Sequence, residues 1–211
     1  MLESIESHPF EPFLPKDAKV LILGTFPAKP IRWSMDFYYP NFSNDMWRII
    51  GEIFFGDRMR FEIRNEKRNR YDKAAIMAFC ASAGIAISDT AEQIRRLKDN
   101  ASDQFLDVVK PRNIEELLVK IPECKAIATT GGKASEVIVC QYVLDSRNHI
   151  KKEIESALPS IGGSIQFAIS GRQLRLYRMP STSRAYPLAF EKKVDDYRKM
   201  FYDIGMEVNS F

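Results

Sequence analysis

The feature that most constrains the fold of this chain is a series of short, almost entirely apolar segments, each closed by small or turn-forming residues. Three such segments are present: residues 18–23, closed by Gly24; residues 85–87, closed by Ser88-Asp89-Thr90; and residues 126–128, closed by Gly131-Gly132. Segments of this kind are typical of strands that are buried on both faces of a parallel sheet. They predict a central sheet made mainly of parallel strands.

Stretches with helical periodicity separate these strands. In residues 44–55, Trp47, Ile50 and Phe54 recur at the spacing of three to four that places side chains on one face of a helix, and a second such stripe occupies residues 190–204. Strands that alternate with helices predict an α/β fold. We expect a three-layer α/β/α sandwich in which a mainly parallel central sheet lies between two layers of helices.

Three further regions do not follow this alternation. Residues 164–170 and 173–178 alternate apolar and polar side chains around Gly171-Arg172, which predicts a β-hairpin. Residues 58–73 interleave acidic and basic side chains, which is typical of a solvated helical connection. Residues 91–112 are interpreted as a polar connection.

Composition narrows the class of protein. The chain has 211 residues, of which 45% are hydrophobic and 28% charged, a balance typical of globular rather than disordered chains. The length predicts one domain spanning residues 1–211. No apolar run approaches the roughly 18 residues of a membrane helix, and the acidic N-terminus lacks a signal pattern, so we expect a cytoplasmic protein without a membrane partner. The net charge of +3 permits a nucleic-acid partner without requiring one.

The sequence gives no support for a metal site. Its three cysteines, Cys80, Cys124 and Cys140, are widely spaced, and its two histidines, His8 and His149, lie far apart. None of these spacings is that of a zinc site or a disulfide framework. We expect no protein-held metal.

A phosphate-binding loop and a dinucleotide site are also unsupported. Gly131-Gly132-Lys133 resembles the end of a Walker A loop, but that loop requires glycine where Ile127 stands and serine or threonine where Ala134 stands. The glycine fingerprint of dinucleotide-binding folds is absent as well. We expect no organic cofactor.

Four loops rich in small residues follow predicted strands and are candidates for a binding site. They are residues 24–28, 88–90, 129–132 and 180–183. Ligands of open α/β sheets bind beyond the carboxyl ends of the strands, and small residues let backbone amides approach a ligand closely. We predict that the four loops together line one cleft, although each loop taken alone is better explained as a simple connection.

Three groups of residues, taken in order, resemble the motifs of the uracil-DNA glycosylase superfamily. They are Gly24-Thr25-Phe26-Pro27 after the first predicted strand, Tyr38-Tyr39 followed by Asn44 and Trp47, and Pro180-Ser181-Thr182-Ser183 after the last strand. The branch they resemble most is that of the hypoxanthine-DNA (deoxyinosine) glycosylases, and the correspondence runs from about Pro9 to the last predicted helix. The resemblance implies the α/β/α fold of that superfamily and an activity in DNA base-excision repair. That activity is hydrolysis of the N-glycosidic bond of a deaminated base, hypoxanthine or uracil.

The resemblance also implies four substrate-binding residues: Thr25, Phe26, Tyr39 and Asp89. Tyr39 would stack on a base flipped out of the DNA, whereas its alternative role is that of a core tyrosine. Asp89 falls where the superfamily keeps the residue that reads the edge of the base. An ionised carboxylate only accepts hydrogen bonds, so it suits the N–H edge of hypoxanthine or uracil. Its alternative role is to cap a helix after the strand.

One catalytic residue and a DNA-binding loop complete the implied site. Asn44 aligns with the catalytic residue of the hypoxanthine branch; its amide can position water and stabilise an oxocarbenium-like state, whereas its alternative role is to cap a helix. The loop residues that would hold DNA phosphates are Ser181, Thr182, Ser183 and Arg184. The implied partner is damaged DNA, duplex or single-stranded, bound by a monomer without metal or cofactor.

Several positions depart from the motifs and keep two other interpretations open. Members with strong uracil activity carry an aspartate where this chain has Phe26 and a histidine where it has Met179. The hypoxanthine branch has a histidine in place of Asn41, a proline in place of Arg184 and an asparagine in place of Tyr186. The first alternative is a catalytically decayed member that binds damaged DNA or a nucleobase without releasing the base. The second is a hydrolase of free nucleosides, which would not need a loop that holds phosphates.

Overall fold

The computed structural model describes residues 4–65, 69–97, 105–144 and 150–209. Its strands are β1 (Ile5–Ser7), β2 (Val20–Gly24), β3 (Glu62–Ile63), β4 (Arg70–Tyr71), β5 (Ile85–Asp89), β6 (Ala91–Arg96), β7 (Leu106–Pro111), β8 (Ala126–Thr130), β9 (Ser164–Ile169) and β10 (Arg172–Met179). Its helices are α1 (Met46–Phe55), α2 (Lys73–Ala83), α3 (Ile114–Lys120), α4 (Gly132–Tyr142), α5 (Lys151–Ala157) and α6 (Phe190–Asp203). Within these ranges, every helix is too short or too polar to cross a lipid bilayer.

Five strands form the central sheet, in the order β5-β2-β8-β10-β9. The first four are parallel, and β9 pairs antiparallel with β10 at one edge. The hairpin predicted around Gly171-Arg172 is therefore this edge of the sheet. The sheet is mainly parallel, as predicted.

Alternation along β2 explains why helices cover both faces of the sheet. Val20 and Ile22 point to one side, into a buried cluster with residues of α1, α2 and α6. Leu21 and Leu23 point to the other side, into a cluster with residues of α3 and α4. Because both faces of the strand are apolar, each requires a layer of helix to exclude water. The predicted three-layer α/β/α sandwich is confirmed.

The interpretation of residues 91–112 as a polar connection is wrong where the structure describes them, in residues 91–97 and 105–112; residues 98–104 lie outside the described residues. Strands β6 and β7 within this segment pair antiparallel, and β1 adds to the other side of β6. We call these three strands the small sheet. Ala91, Ile94 and Leu106 form its buried apolar cluster, and Phe26 packs against them. Arg96 is buried as well, so a charged residue of the segment serves the interior and the sequence looks polar although one face is buried.

The interpretation of residues 58–73 as a solvated helical connection is also wrong where the structure describes them. Phe61, which precedes β3, and Tyr71, which belongs to β4, are buried at the short antiparallel pair of these two strands. The carboxylate of Glu62 is paired with buried Arg48, with an Nη2–Oε1 distance of 2.6 Å. Part of the charge in this segment therefore serves an internal ion pair rather than a solvated face.

Candidate active site

The four predicted loops line one cleft at the carboxyl edge of the central sheet. The cleft has a volume of about 520 Å³ and is bordered by residues 24–28, Asp89, residues 130–132 and residues 181–183. This volume lies within the range of small-molecule sites. Polar backbone and side-chain groups from separate strand ends therefore converge on one space.

Most residues predicted for the site border this cleft. They are Thr25, Phe26, Tyr39, Asn44, Asp89, Ser181, Thr182 and Ser183. Arg184 is the exception, because its half-exposed guanidinium turns towards Asp45, with an Nε–Oδ1 distance of 2.9 Å. These residues come from four stretches of chain that are distant in sequence, and the parallel sheet brings them together.

The close approach of β2 and β5 at their carboxyl ends shapes the floor of the cleft. Gly24 and Asp89 are partners in the sheet register. A Cβ atom on Gly24 would lie 2.5 Å from Oδ1 of Asp89 and 3.4 Å from the hydroxyl oxygen of Tyr39. Only glycine leaves room for the carboxylate at this point. Gly24 therefore determines where Asp89 can lie.

Asp89 does not cap a helix, so that alternative is wrong. The chain continues from Asp89 into β6, and the N–H group of Thr90 donates to the carbonyl oxygen of Gly24 at 2.8 Å. The buried Asp89 carboxylate instead accepts a hydrogen bond from Nε2 of His8, 2.8 Å from Oδ2. The carboxylate is thus held inside the cleft by a residue from the small sheet.

Tyr39 belongs to both the core and the cleft. Its ring packs edge-to-face against buried Trp47, with centroids 6.2 Å apart, and its hydroxyl group is hydrogen-bonded to Oγ1 of Thr130 at 2.9 Å. Its backbone is in the left-handed region, with φ of 51°, which is strained for a residue with a bulky side chain. The surrounding contacts hold the ring as a fixed aromatic wall of the cleft.

The small sheet supports the wall that carries Phe26. The ring of Phe26 lies edge-to-face with that of His8, with centroids 5.1 Å apart. The guanidinium carbon of Arg96 lies 5.9 Å from the Phe26 ring centroid, and an N–H group of Arg96 donates to the carbonyl oxygen of Pro27 at 3.2 Å. Arg96 is in turn paired with Glu6. These contacts give the 24–28 loop a defined shape.

Asn44 lies directly before Asp45, the N-cap residue of α1, and lines the cleft at the same time. It is therefore not the N-cap residue, but its Oδ1 atom accepts the N–H group of Met46, the first residue of the helix, at 2.9 Å. Its backbone forms an isolated antiparallel bridge with Ser183. Among the described residues, no other hydrogen bond of the Asn44 side chain is present, which leaves its second Oδ1 lone pair and both Nδ2 hydrogens for the cleft.

A largely buried ionic cluster, which no sequence pattern predicts, joins the start of α1 beside Asn44 to the 180–184 loop. Asp45 lies 2.9 Å from Arg184, 3.6 Å from Arg48 and 3.6 Å from Lys193. Lys193 is only 2% exposed and donates to the carbonyl oxygen of Ser183 at 2.8 Å. A buried lysine is rare unless it is paired, so the cluster acts as an internal cross-link beneath the cleft rim.

Sequence reasoning also missed His8. Its side chain is 2% exposed, and it stacks on Tyr38 with ring centroids 5.7 Å apart. Burial raises the pKa of Tyr38 far above its ordinary value, and the Asp89 carboxylate adds to the rise. Because His8 and Asp89 are 81 residues apart, no local pattern could have predicted their contact.

The described residues contain no group of three or more His, Cys, Asp or Glu side chains placed to hold a metal ion. His149 lies outside the described residues. In the described part of the chain, Asp89 is the one carboxylate that lines the cleft. The polar and aromatic groups that line the cleft are therefore one acidic side chain, the amides of Asn41 and Asn44, the guanidinium of Arg32, hydroxyl groups and aromatic rings.

Comparison with known proteins supports the fold. No family model matches the chain, and no curated protein matches its sequence. Among solved structures, the solution NMR structure of a provisionally named uracil DNA glycosylase from Methanosarcina acetivorans is similar, with a TM-score of 0.61 and 18% sequence identity. The match covers 95% of this chain and 99% of that one. The chain therefore has a uracil-DNA-glycosylase-like α/β/α fold.

Proposed function

We propose that this chain is a monofunctional DNA glycosylase that hydrolyses the N-glycosidic bond of a deaminated base, hypoxanthine or uracil. The observation that carries the proposal is the convergence of Tyr39, Asn44, Asp89 and residues 181–183 on one cleft. The similarity of the whole fold to a protein named as a uracil DNA glycosylase supports it. The resemblance of the motifs to the hypoxanthine branch selects the substrates. Action as a cytoplasmic monomer belongs to the proposal and rests on the sequence.

The residues that line the cleft suit the binding of a base that has been flipped out of the DNA. A base inside a duplex must be flipped out before its glycosidic bond can be reached. The fixed ring of Tyr39 offers a face on which the flipped base stacks. The carboxylate of Asp89 accepts the N–H group of the base edge, which favours hypoxanthine or uracil over bases that present only a lone pair there.

In the hydrolytic step, Asn44 positions the attacking water. An amide is too weak a base to deprotonate water fully, but its free Oδ1 lone pair can accept a hydrogen bond from water and hold it near the sugar C1′. The hydrogen bond from the N–H group of Met46 orients the amide in advance. Cleavage then depends on orientation and on stabilisation of the oxocarbenium-like sugar rather than on a strong base.

The 180–184 loop supplies hydroxyl and amide groups for phosphate. Two of its side chains bond within the loop: Oγ of Ser181 accepts the N–H of Ser183 at 3.3 Å, and Oγ of Ser183 accepts the N–H of Ala185 at 3.2 Å. These turns fix the backbone next to the cleft. Arg184 adds a positive charge at the exposed edge, where it can contact a DNA phosphate.

One specific observation favours a second candidate, a module that binds a damaged base without releasing it. Met179 occupies the place where strong uracil glycosylases carry histidine, and its side chain is buried in the core rather than exposed to the cleft. Phe26 stands in the first motif in place of an aspartate. Both substitutions remove groups that would speed hydrolysis but leave the binding surface intact.

Base release from labelled DNA tests the proposal directly. Duplexes carrying a single uracil, hypoxanthine, xanthine or mismatched thymine are incubated with the wild-type chain and with Asn44→Ala. We expect release from the hypoxanthine or uracil duplex and a fall of about 100-fold or more in Asn44→Ala. Intact binding of these duplexes without release would replace the proposal by the non-catalytic module.

The hydrogen bond of Asn44 to the first turn of α1 requires a matched control. Asn113, the N-cap residue of α3, likewise accepts the N–H group two residues ahead, that of Glu115, on Oδ1 at 3.1 Å, and it does not line the cleft. Asn113→Ala and Asn44→Ala should each lose about 1 kcal/mol of stability, whereas only Asn44→Ala should lose base release. Asn44→Asp keeps both the acceptor for Met46 and an acceptor for water, so it should retain stability and measurable release.

A further inference from the structure

The contact between His8 and Asp89 links the small sheet to the floor of the cleft. His8 follows β1, and its backbone N–H group donates to the carbonyl oxygen of Glu92 in β6 at 2.8 Å. From there its side chain reaches Oδ2 of Asp89. Both side chains are more than nine-tenths buried. The contact therefore joins two elements that the sequence does not relate.

The His8 ring is fixed from several sides. Phe10 and Phe26 meet it edge-to-face, with centroids 5.9 Å and 5.1 Å away, and Tyr38 stacks on it. Its Nδ1 atom lies 2.9 Å from the carbonyl oxygen and 3.1 Å from the backbone nitrogen of Phe10. On the other side of the ring, Nε2 lies 2.8 Å from Oδ2 of Asp89. The ring has little freedom to turn away from the carboxylate.

The two carboxylate oxygens of Asp89 have different surroundings because only one of them is hydrogen-bonded to His8. Oδ2 is engaged by His8, while Oδ1 lies in the space that the missing Cβ of Gly24 provides. The Tyr39 hydroxyl group lies next to the same point. A rotated carboxylate would lose the His8 contact, and an ionised one offers only acceptors. The arrangement therefore presents Oδ1 to the cleft as a fixed hydrogen-bond acceptor.

We propose that His8 is a specificity-determining positioning residue that holds Asp89 as an oriented acceptor for the N–H edge of a deaminated base. This inference rests on the proposed function. With His8 in place, the cleft accepts the ring N–H of hypoxanthine or uracil and disfavours adenine and cytosine, whose corresponding ring nitrogen carries a lone pair. Without it, the carboxylate loses the hydrogen bond that orients it and is free to turn away from the edge of the base. Selectivity for the N–H edge then falls.

The test compares two replacements of His8 that differ in hydrogen bonding. His8→Gln places an N–H donor near the position of Nε2, whereas His8→Leu fills the space without a donor. For each we measure the preference for lesions, defined as the ratio of Kd for an undamaged duplex to Kd for the same duplex with hypoxanthine, and kcat/KM for base release. We expect His8→Leu to lose about tenfold or more of the preference and His8→Gln to stay within about threefold of wild type.

Variants of Asp89 provide a second test of the same contact, which is needed if His8→Leu does not fold. In an Asp89→Leu background, replacing His8 by Leu should cause little further loss of preference, since the two residues act as a unit. Asp89→Asn keeps an acceptor for His8 but turns an amide N–H towards the cleft, and it should shift the preference towards the acceptor edge of adenine. Thermal unfolding of every variant identifies those that remain folded.

The outcomes separate this inference from the proposed function. If folded His8→Leu keeps the full lesion preference, or His8→Gln loses as much as His8→Leu, the inference is overturned while base release by the wild type still stands. If the wild type prefers lesions but releases no base, hydrolysis is overturned, and the same binding ratios still decide the role of His8. If the wild type shows neither preference nor release, both are overturned.

Discussion

The ammonium group of Lys193 lies 2.8 Å from the carbonyl oxygen of Ser183, deep beneath the rim of the cleft. It also lies 3.6 Å from the carboxylate of Asp45. The N–H group of Asp45 in turn donates to the carbonyl oxygen of Thr182 at 2.9 Å. Through Lys193, helix α6 thus holds together the start of α1, which carries Asn44, and the loop proposed to bind phosphate.

Replacing Lys193 should reveal this cross-link. Lys193→Met removes one of three cations that face Asp45 and leaves the carbonyl oxygen of Ser183 without its donor, so it should lower the free energy of unfolding by about 2 kcal/mol, as measured by urea denaturation. The exposed neighbour Lys192 is the matched control, and Lys192→Met should stay within about 0.5 kcal/mol of wild type. Combining Lys193→Met with Asp45→Asn should cost less than the sum of the two changes, because either change alone already removes the attraction between the two side chains. Strict additivity would show that the pair does not act as a unit.

Gly24 should be intolerant of even one added carbon. In Gly24→Ala the new Cβ would lie 2.5 Å from Oδ1 of Asp89, so the carboxylate must move away from its position in the cleft. We expect base release and lesion preference to fall at least tenfold, measured on hypoxanthine duplexes.

A second glycine of the cleft provides the stability control for that change. A Cβ on Gly132 would meet only an Arg178 nitrogen, 4.0 Å away, and helix α4 begins there. Gly132→Ala should therefore leave the unfolding free energy unchanged or raise it by up to about 1 kcal/mol. Equal activity of Gly24→Ala and wild type would contradict the assigned position of Asp89.

Arg184 should contribute to DNA affinity through charge. Each phosphate neutralised by a basic side chain releases counterions, so Arg184→Ala should weaken binding to all duplexes alike and reduce the slope of log K against log salt by about 1. Fluorescence anisotropy between about 50 and 200 mM salt measures this slope.

Lys151, which is exposed on α5 and does not line the cleft, provides the control for Arg184. Lys151→Ala should leave the salt slope unchanged. Base release that is unaffected by Arg184→Ala, together with cleavage of free nucleosides, would instead favour a nucleoside hydrolase.

The protein should lose stability in alkali. Burial raises the pKa of the Cys80 thiol from 9.0 to about 12 and the pKa of the Cys124 thiol to about 11. Burial also raises the pKa values of three tyrosines, Tyr38, Tyr71 and Tyr197, well above 10.0. In the unfolded chain these groups release protons at their ordinary values, so the folded state binds more protons above about pH 9. Stability is therefore full below that pH and falls as the pH rises.

Unfolding free energies measured from about pH 7 to pH 11 check this dependence. Each fully ionising group adds at most about 1.4 kcal/mol per pH unit to the slope. Cys80→Ala lowers stability at every pH by leaving a cavity, but its slope above pH 9 should be shallower than that of the wild type. An unchanged slope would mean that Cys80 does not remain protonated in the folded state.

Local sequence was sufficient to predict the central layers of the molecule. The apolar run that includes Val20 and Leu23 specified a strand buried on both faces, and the stripe of Trp47, Ile50 and Phe54 specified a covering helix. The small residues at the strand ends predicted the loops that line the cleft. These features depend on periodicity and on the backbone freedom of glycine, which are properties of neighbouring residues.

Segments whose burial depends on distant partners were misread. Residues 91–112 look polar because the small sheet buries one face only, against Phe26, His8 and the 24–28 loop. Glu62 looks solvated because its partner Arg48 lies on α1. A charged or polar side chain carries no local sign of the ion that will pair with it.

The sequence by itself thus determined the three-layer fold, the strand ends at which ligands bind and the residue types available there. Only the tertiary structure decided that His8 holds Asp89, that Lys193 and Asp45 brace Asn44 against the 180–184 loop, and that Gly24 makes room for a carboxylate. The reason is physical: periodicity acts between neighbours along the chain, whereas hydrogen bonds, ion pairs and steric clearance act between atoms a few ångströms apart, whatever their separation in sequence.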